Sequence, residues 1–223
     1  LGDVILKSVS NVSDLGITVD DKLKLSDDIA KITRIAHARA NLILRCFISR
    51  QRESVINAFK IYVRPILAIL EYIYNSSIWS PSSKQLIESL ENVQRWFTKR
   101  IVGMFNLTYH QRLTHLCLES LELRRLRADL ILTYKILFGL TALSSEAFFR
   151  VNVNRNGMNL RGHTYQLIQV VSRKSVRNSF FSNRIVGIWN RLPLDPTNFA
   201  SLNNFKQSLT NSILAPLCKV FLN

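Results

Sequence analysis

Apolar residues recur at steps of three and four from Leu25 through Ile29, Ile32, Ala36, Ala40 and Ile43 to Phe47. That spacing is one face of an α-helix. Ser26 stands as its N-cap, and Asp27 and Asp28 fall in the first turn, where the helix dipole favours negative charge. Lys31, Arg34 and Arg45 fall close together on the opposite face. Ser54 predicts a second helix from Val55 to about Tyr74, with Pro65 as its kink or break. Ser83 opens a third with the stripe Leu86, Leu90, Val93, Phe97 and Ile101, and Gly103 marks its stop. Within it, Glu91 and Arg95 are spaced as a favourable i,i+4 pair. Tyr109 to Leu116 reads as a short helix. Ser120 opens another that ends near Gly139, with Arg124, Arg125 and Arg127 in its first half and Leu130, Ile131, Tyr134, Leu137 and Phe138 in its second.

The two ends are less regular. Val4 to Val19 reads as short strands with turns, and Gly16 suggests a bulge or close backbone approach. After Ser144 the pattern loosens, and Asn152 to Gly157 is a polar turn region suited to a domain boundary. Thr164 to Val171 predicts a strand, Ser182 to Trp189 a helix stopped by Pro193, and Ser201 caps a last helix carrying Phe205, Leu209 and Ile213. The expected fold is mainly α, in three parts: short β elements in 1–25, a helical bundle in 26–143, and a less regular, basic C-terminal α/β region in 144–223.

Composition sharpens this picture at one point, charge. The chain carries 30 Lys and Arg against 15 Asp and Glu, a net +15. Residues 1–30 hold three Lys and six Asp, whereas 31–129 hold 16 basic and 7 acidic residues and 130–223 hold 11 and 2. Basic side chains displace counterions from phosphates, so polyanion contact is expected to start after Lys31. Lys31, Arg34 and Arg45 read either as a solvated face or as a helix lying along a duplex. Arg124 and Arg127 share a face by i,i+3 geometry and are candidates for a second phosphate track, with Arg125 pairing with Glu122 or Asp129. The alternative is that all three serve intramolecular salt bridges. With 47% hydrophobic residues, a packed core is expected.

Candidate chemistry is sparse. Asp20-Asp21 and Asp27-Asp28 invite a two-metal reading, but turn chemistry and helix N-terminus chemistry account for them. His110, His115 and Cys117 match no common zinc spacing, and His163 either contacts phosphate or closes a turn. No GxSxG, HExxH or P-loop is present. No catalytic residue, metal site or cofactor is therefore expected in this chain. Trp79, Trp96 and Trp189 sit in apolar contexts that favour core packing over base stacking. Cys46, Cys117 and Cys218 form no CxxC pair, which argues against a zinc ribbon or knuckle, and their odd count without a signal peptide fits a reducing intracellular compartment. Ile61 to Trp79 is apolar but interrupted by Arg64, Pro65, Glu71 and Asn75, so a buried helix is expected rather than a membrane span. The first residue is Leu1 rather than Met, and the chain is expected to be a fragment.

One ordered series of short segments runs through the chain: Asp14-Leu15-Gly16-Ile17, Tyr62-Val63-Arg64-Pro65, Trp79-Ser80-Pro81, Leu90-Glu91-Asn92-Val93-Gln94-Arg95, Ser120-Leu121-Glu122-Leu123-Arg124-Arg125, Arg161-Gly162-His163 and Trp189-Asn190-Arg191-Leu192-Pro193. The series resembles the region downstream of the catalytic motifs in non-LTR (LINE-type) retrotransposon reverse transcriptases, above all the jockey-like and chicken-repeat-like groups. The resemblance implies the end of a palm in 1–25, a helical thumb in 26–143 and a C-terminal region of unassigned role. It also implies contact with RNA template and DNA primer, a nuclear location, and Mg²⁺ in the parent polymerase, whose catalytic aspartates lie upstream of this chain. The stretch from Pro65 to Pro81 is longer than that pattern by about one helical turn. Other readings are a helical protein-interaction module using Ile61–Trp79, or a non-functional mobile-element remnant.

Overall fold

The computed structural model describes residues 11–14, 17–20, 26–47, 51–67, 81, 83–152, 163–170 and 175–218. The protein is mainly α-helical. One antiparallel ribbon, Asn11–Asp14 (β1) against Ile17–Asp20 (β2), pairs Asn11 with Asp20 and Asp14 with Ile17. The helices begin with Ser26–Cys46 (α1), Arg52–Tyr62 (α2), Arg64–Leu67 (α3) and Lys84–Lys99 (α4). Tyr109–His115 (α5), Leu121–Leu137 (α6) and Ser145–Phe148 (α7) follow. The C-terminal part holds Ser175–Ser179 (α8), Phe181–Arg184 (α9), Val186–Trp189 (α10), a 3-10 turn at Pro196–Phe199, Leu202–Ser208 (α11) and Asn211–Leu214 (α12).

Local chemistry explains four of the helix starts. The hydroxyls of Ser83, Ser120 and Ser201 accept from the backbone N–H of Leu86, Leu123 and Asn204 at 3.3, 3.1 and 3.1 Å. Each thereby satisfies one of the donors that a helix start leaves unpaired. Thr108 and Gln111 form a capping box for α5. The second helix begins at Arg52 rather than Val55, and the chain breaks at Val63, just ahead of Pro65. The N-cap is Gln51, without a side-chain bond, so Ser54 does not cap it. Residues 68–80, including the rest of the predicted second helix and Trp79, lie outside the described residues. The third helix stops at Lys99, and Gly103 serves the turn that follows with φ +79°.

Over its described part, residues 164–170, the predicted strand at Thr164–Val171 is not a strand. Among the described residues there is one isolated bridge, Val151 to Leu167, so the C-terminal region is helical rather than α/β. The Asn190 side chain takes the place of a partner strand: it accepts from Leu167 N at 2.9 Å and donates to Leu167 O at 2.8 Å. The helix predicted over Ser182–Trp189 is two short helices, α9 and α10, separated at Ile185.

Among the described residues the buried apolar side chains form two clusters. The first joins the α1 stripe to Val55, Ile56 and Phe59 of α2 and to Leu90, Val93 and Phe97 of α4. Phe59 stacks on Phe97 with ring centroids 4.3 Å apart. The second joins Leu123, Leu126, Leu130, Tyr134 and Ile136 of α6 to Phe181, Trp189, Phe199, Phe205 and Leu214. Trp189 is fully buried, and its indole N–H donates to Tyr165 O at 2.7 Å. The clusters meet at the start of α6, where Leu121 belongs to the first and Leu123 to the second. The sequence pattern places the division at residue 144, but α6 itself packs with the C-terminal part.

Candidate nucleic-acid interface

The three predicted basic residues of α1 lie on one side of the helix but are spread along it. Lys31, Arg34 and Arg45 are exposed, on the side of the helix opposite its buried stripe. Lys31 and Arg45 are about 21 Å apart along the axis at the usual helical rise. Among the described residues none of the three meets a carboxylate. Ile35 and Leu42 are exposed on the same side, Leu42 by 60%. The face is therefore basic at both ends and apolar between them. Arg39, further round, instead donates to Tyr62 O at 3.4 Å and ties α1 to the end of α2.

A second basic group stands where α4 ends, and aromatic rings accompany it. The Arg100 guanidinium lies 3.9 Å from the centre of the Trp96 ring and donates to Trp96 O at 3.2 Å. The His37 ring of α1 packs edge-on against Trp96 at 5.3 Å. Burial, then the positive charge of Arg100, holds the His37 imidazole below its ordinary pKa. The charge of this surface near neutral pH thus comes from arginine and lysine. Lys99 Nζ stands 5.0 Å from the centre of the Phe105 ring, which is 70% exposed. Arg52 Nη2 lies 3.3 Å from where a Cβ would sit on Gly103, so only glycine leaves that approach open.

The second predicted track does not form. Arg127 donates to the Glu119 carboxylate, to Asn211 Oδ1 at 2.7 Å and to Leu209 O at 3.3 Å. Its fork is occupied by protein acceptors and fastens α6 to the segment ahead of α12. Arg124 is half-buried and also engaged within the protein. Arg125 is 3% exposed, with Nη1 and Nη2 lacking hydrogen-bond partners. Asp129, a predicted partner of Arg125, pairs with Arg184 at 3.0 Å. This stretch serves the interior because α6 is covered on both sides, which a helical wheel of α6 alone does not reveal.

The junction of the clusters holds the densest polar network. Glu91, 3% exposed, accepts from the Tyr109 hydroxyl, from Leu121 N at 2.9 Å and from Glu122 N at 3.3 Å. It is therefore not the partner of Arg95, which instead donates to Asn92 Oδ1 at 2.8 Å. Gln94 Nε2 donates to Tyr109 Oη and to Glu119 O, both at 3.0 Å, and Arg64 Nη2 donates to Glu119 O at 2.7 Å. Burial pushes the Glu91 carboxyl up, while Tyr109, Arg125 and the backbone N–H groups of Glu122 and Leu121 pull it back. A cavity of about 380 Å³ beside this network is lined in part by Arg125, Asp129, Arg184 and Cys218. Burial pushes the Cys218 thiol up to about 12, which disfavours its thiolate form.

The remaining candidates fall into ordinary roles. His163 is buried, with Nε2 2.8 Å from Trp189 O, and does not face solvent phosphate. His110, His115 and Cys117 are exposed on and just after α5. No group of His, Cys, Asp and Glu among the described residues is arranged to hold a metal. Asp21 lies outside them. Among the described residues no helix is long and apolar enough to cross a membrane. Arg52, Lys99, Arg100 and Phe105 are not among the basic and aromatic residues singled out from the sequence as candidate contacts. A signal existed in the run Thr98-Lys99-Arg100 followed closely by Phe105, basic residues beside an aromatic one at a helix end.

Over 133 residues the chain is 28% identical to the uncharacterized protein B0403.1 of Caenorhabditis elegans, covering 58% of this chain and 65% of that protein. The matched part is thus slightly under two thirds of that relative's length. No known protein family and no solved structure matches the chain.

Proposed function

We propose that this chain is a non-catalytic nucleic-acid grip, the template-primer-binding part of a retrotransposon RNA-directed DNA polymerase. In that reading the β1–β2 ribbon ends a palm, and α1 to α6 form a thumb-like bundle. The observation that carries it is the α1 face, where Lys31, Arg34 and Arg45 are exposed and meet no carboxylate among the described residues. Cations free of internal partners are the ones available to displace counterions from phosphate. The ordered resemblance to LINE-type reverse transcriptases supplies the identity of the polyanion: RNA template and DNA primer, in the nucleus. Among the described residues no carboxylates are grouped to hold Mg²⁺, and the buried Glu91 and Asp129 are engaged by a helix start and by Arg184. Metal chemistry belongs in this reading to the parent's upstream aspartates.

Fluorescence anisotropy on an RNA–DNA hybrid at several salt concentrations tests the proposal. The triple substitution Lys31→Ala, Arg34→Ala, Arg45→Ala is expected to weaken binding regardless of sequence and to flatten the salt slope by about one unit per lost phosphate contact. An unchanged slope would mean that the α1 face is merely solvated. The second reading is a protein-interaction module. It is favoured by Ile61 and Tyr62, 62% and 59% exposed at the end of α2.

A further inference from the structure

We infer that the surface at the end of α4 is a stacking platform for an unpaired base, so that single-stranded nucleic acid is a ligand in addition to duplex. The inference rests on the nucleic-acid reading above and adds a distinct subsite to it. Basic residues in the last turn of a helix are ordinary, because they complement the negative end of the helix dipole. What that does not explain is the exposure of Phe105 at 70% and of Val102 at 58% in the turn that follows. An exposed phenyl ring offers a flat apolar face that a ligand's base can cover.

The surroundings say what that cover is. One cation, Lys99, already stands 5.0 Å from the ring centre. A second, Arg100, lies over the Trp96 ring, 3.9 Å from its centre, and a third, Arg52, reaches the turn at Gly103. Among the described residues none of the three is paired with a carboxylate. Lys99 beside an exposed ring, with Arg100 next to it in sequence and Arg52 at the Gly103 turn, matches a ligand that alternates negative charge with flat apolar faces. Nucleic acid has that alternation, and only an unpaired base offers its face, since a duplex hides base faces in its own stack. The two groups then divide the work. The α1 face meets phosphate alone, and Phe105 takes one base of a strand whose phosphates lie against Lys99, Arg100 and Arg52. Gly103, at φ +79°, makes the tight turn that brings Phe105 back over Lys99.

The test uses the full 223-residue chain. The probes are fluorescein-labelled oligo(dT) and a blunt RNA–DNA hybrid of equal length, read by anisotropy with polyaspartate as a charge-only competitor. Phe105→Ala is expected to weaken oligo(dT) binding about tenfold and to change hybrid binding less than about twofold, since stacking is lost and no charge is. Phe105→Trp is expected to restore or tighten oligo(dT) binding, and Lys99→Ala to flatten its salt slope. Polyaspartate is expected to compete poorly. Any one of three results overturns the inference: oligo(dT) binding unaffected by Phe105→Ala, equal losses on both probes, or a lowered melting temperature marking Phe105 as a packing group. If the wild-type chain binds neither probe, the nucleic-acid reading fails as well. If it binds the hybrid through α1 while Phe105→Ala is silent on oligo(dT), only the platform fails.

Discussion

Replacing Glu91 by alanine should cost this protein more than its place on an otherwise amphipathic helix suggests. The carboxylate accepts from three groups, the Tyr109 hydroxyl and the backbone N–H of Leu121 and Glu122, and all lie where water is excluded. Ser120 already satisfies Leu123 N and cannot turn to the others. Each buried donor left unpaired costs about 1–3 kcal/mol, partly offset because the charge no longer has to be desolvated. Breaking one side of a buried charged network falls at about 3–5 kcal/mol in total. For a chain of this length that is a fall of about 6–20 °C in melting temperature. Glu91→Gln should fall between. Its amide oxygen can still cap α6, but its N–H groups face Tyr109 Oη, which already accepts from Gln94. Urea denaturation followed by circular dichroism, with Tyr109→Phe as the second arm of a double-mutant cycle, separates the contributions. A melting temperature for Glu91→Ala within about 2 °C of wild type would refute the reasoning, since it would mean less than about 1 kcal/mol rides on the network.

Two further outcomes follow from the same geometry. Arg127→Ala should lower the melting temperature by about 2–8 °C, as expected for about 1–2 kcal/mol lost from a half-exposed ion pair and its added hydrogen bonds, and leave RNA–DNA affinity unchanged. The α1 triple variant should do the reverse, and a loss of affinity in Arg127→Ala would restore that residue to the interface. The pH dependence has a defined sign. Because burial raises the Glu91 carboxyl, the folded state holds its proton longer than the unfolded chain. Stability is therefore lost as pH rises from the ordinary carboxylate range through the raised value, and the gap between wild type and Glu91→Gln narrows over that window. Paired thermal melts across it check the slope. A widening gap would show that Tyr109, Arg125 and the backbone donors outweigh desolvation.

The features legible in the sequence were those decided within a few residues. The α1 stripe follows from periodicity, and Ser83, Ser120 and Ser201 cap their helices because the bond closes three residues on. Trp189 reads as core and is core. Interactions across long separations were not legible. Glu91 looks like a solvated partner for Arg95, and its true partners lie 18 and 30 residues ahead. A faint trace does exist. Glu91, Gln94 and Thr98 recur at three- and four-residue steps, each next to a core residue, and all three are buried. The internal acceptors of Arg127 were hidden for the same reason, since Leu209 and Asn211 are 82 and 84 residues away. The strand predicted at Thr164–Val171 failed because alternation describes a half-buried segment equally well when a side chain, Asn190, supplies the pairing.

The position of α6 bears on how such a chain can change over time. A helix that begins in one core and continues into the other cannot be assigned to either half. The polar stretch after Asn152, which looks like a natural place for recombination, is therefore a poor one. A lineage that lost everything beyond residue 143 would keep Leu123, Leu126, Leu130, Tyr134 and Ile136 on a helix stripped of what covers them. That apolar surface would favour aggregation over a working shorter protein. The two halves should thus be gained, lost and worn down together, and decay in one should soon become visible in the other.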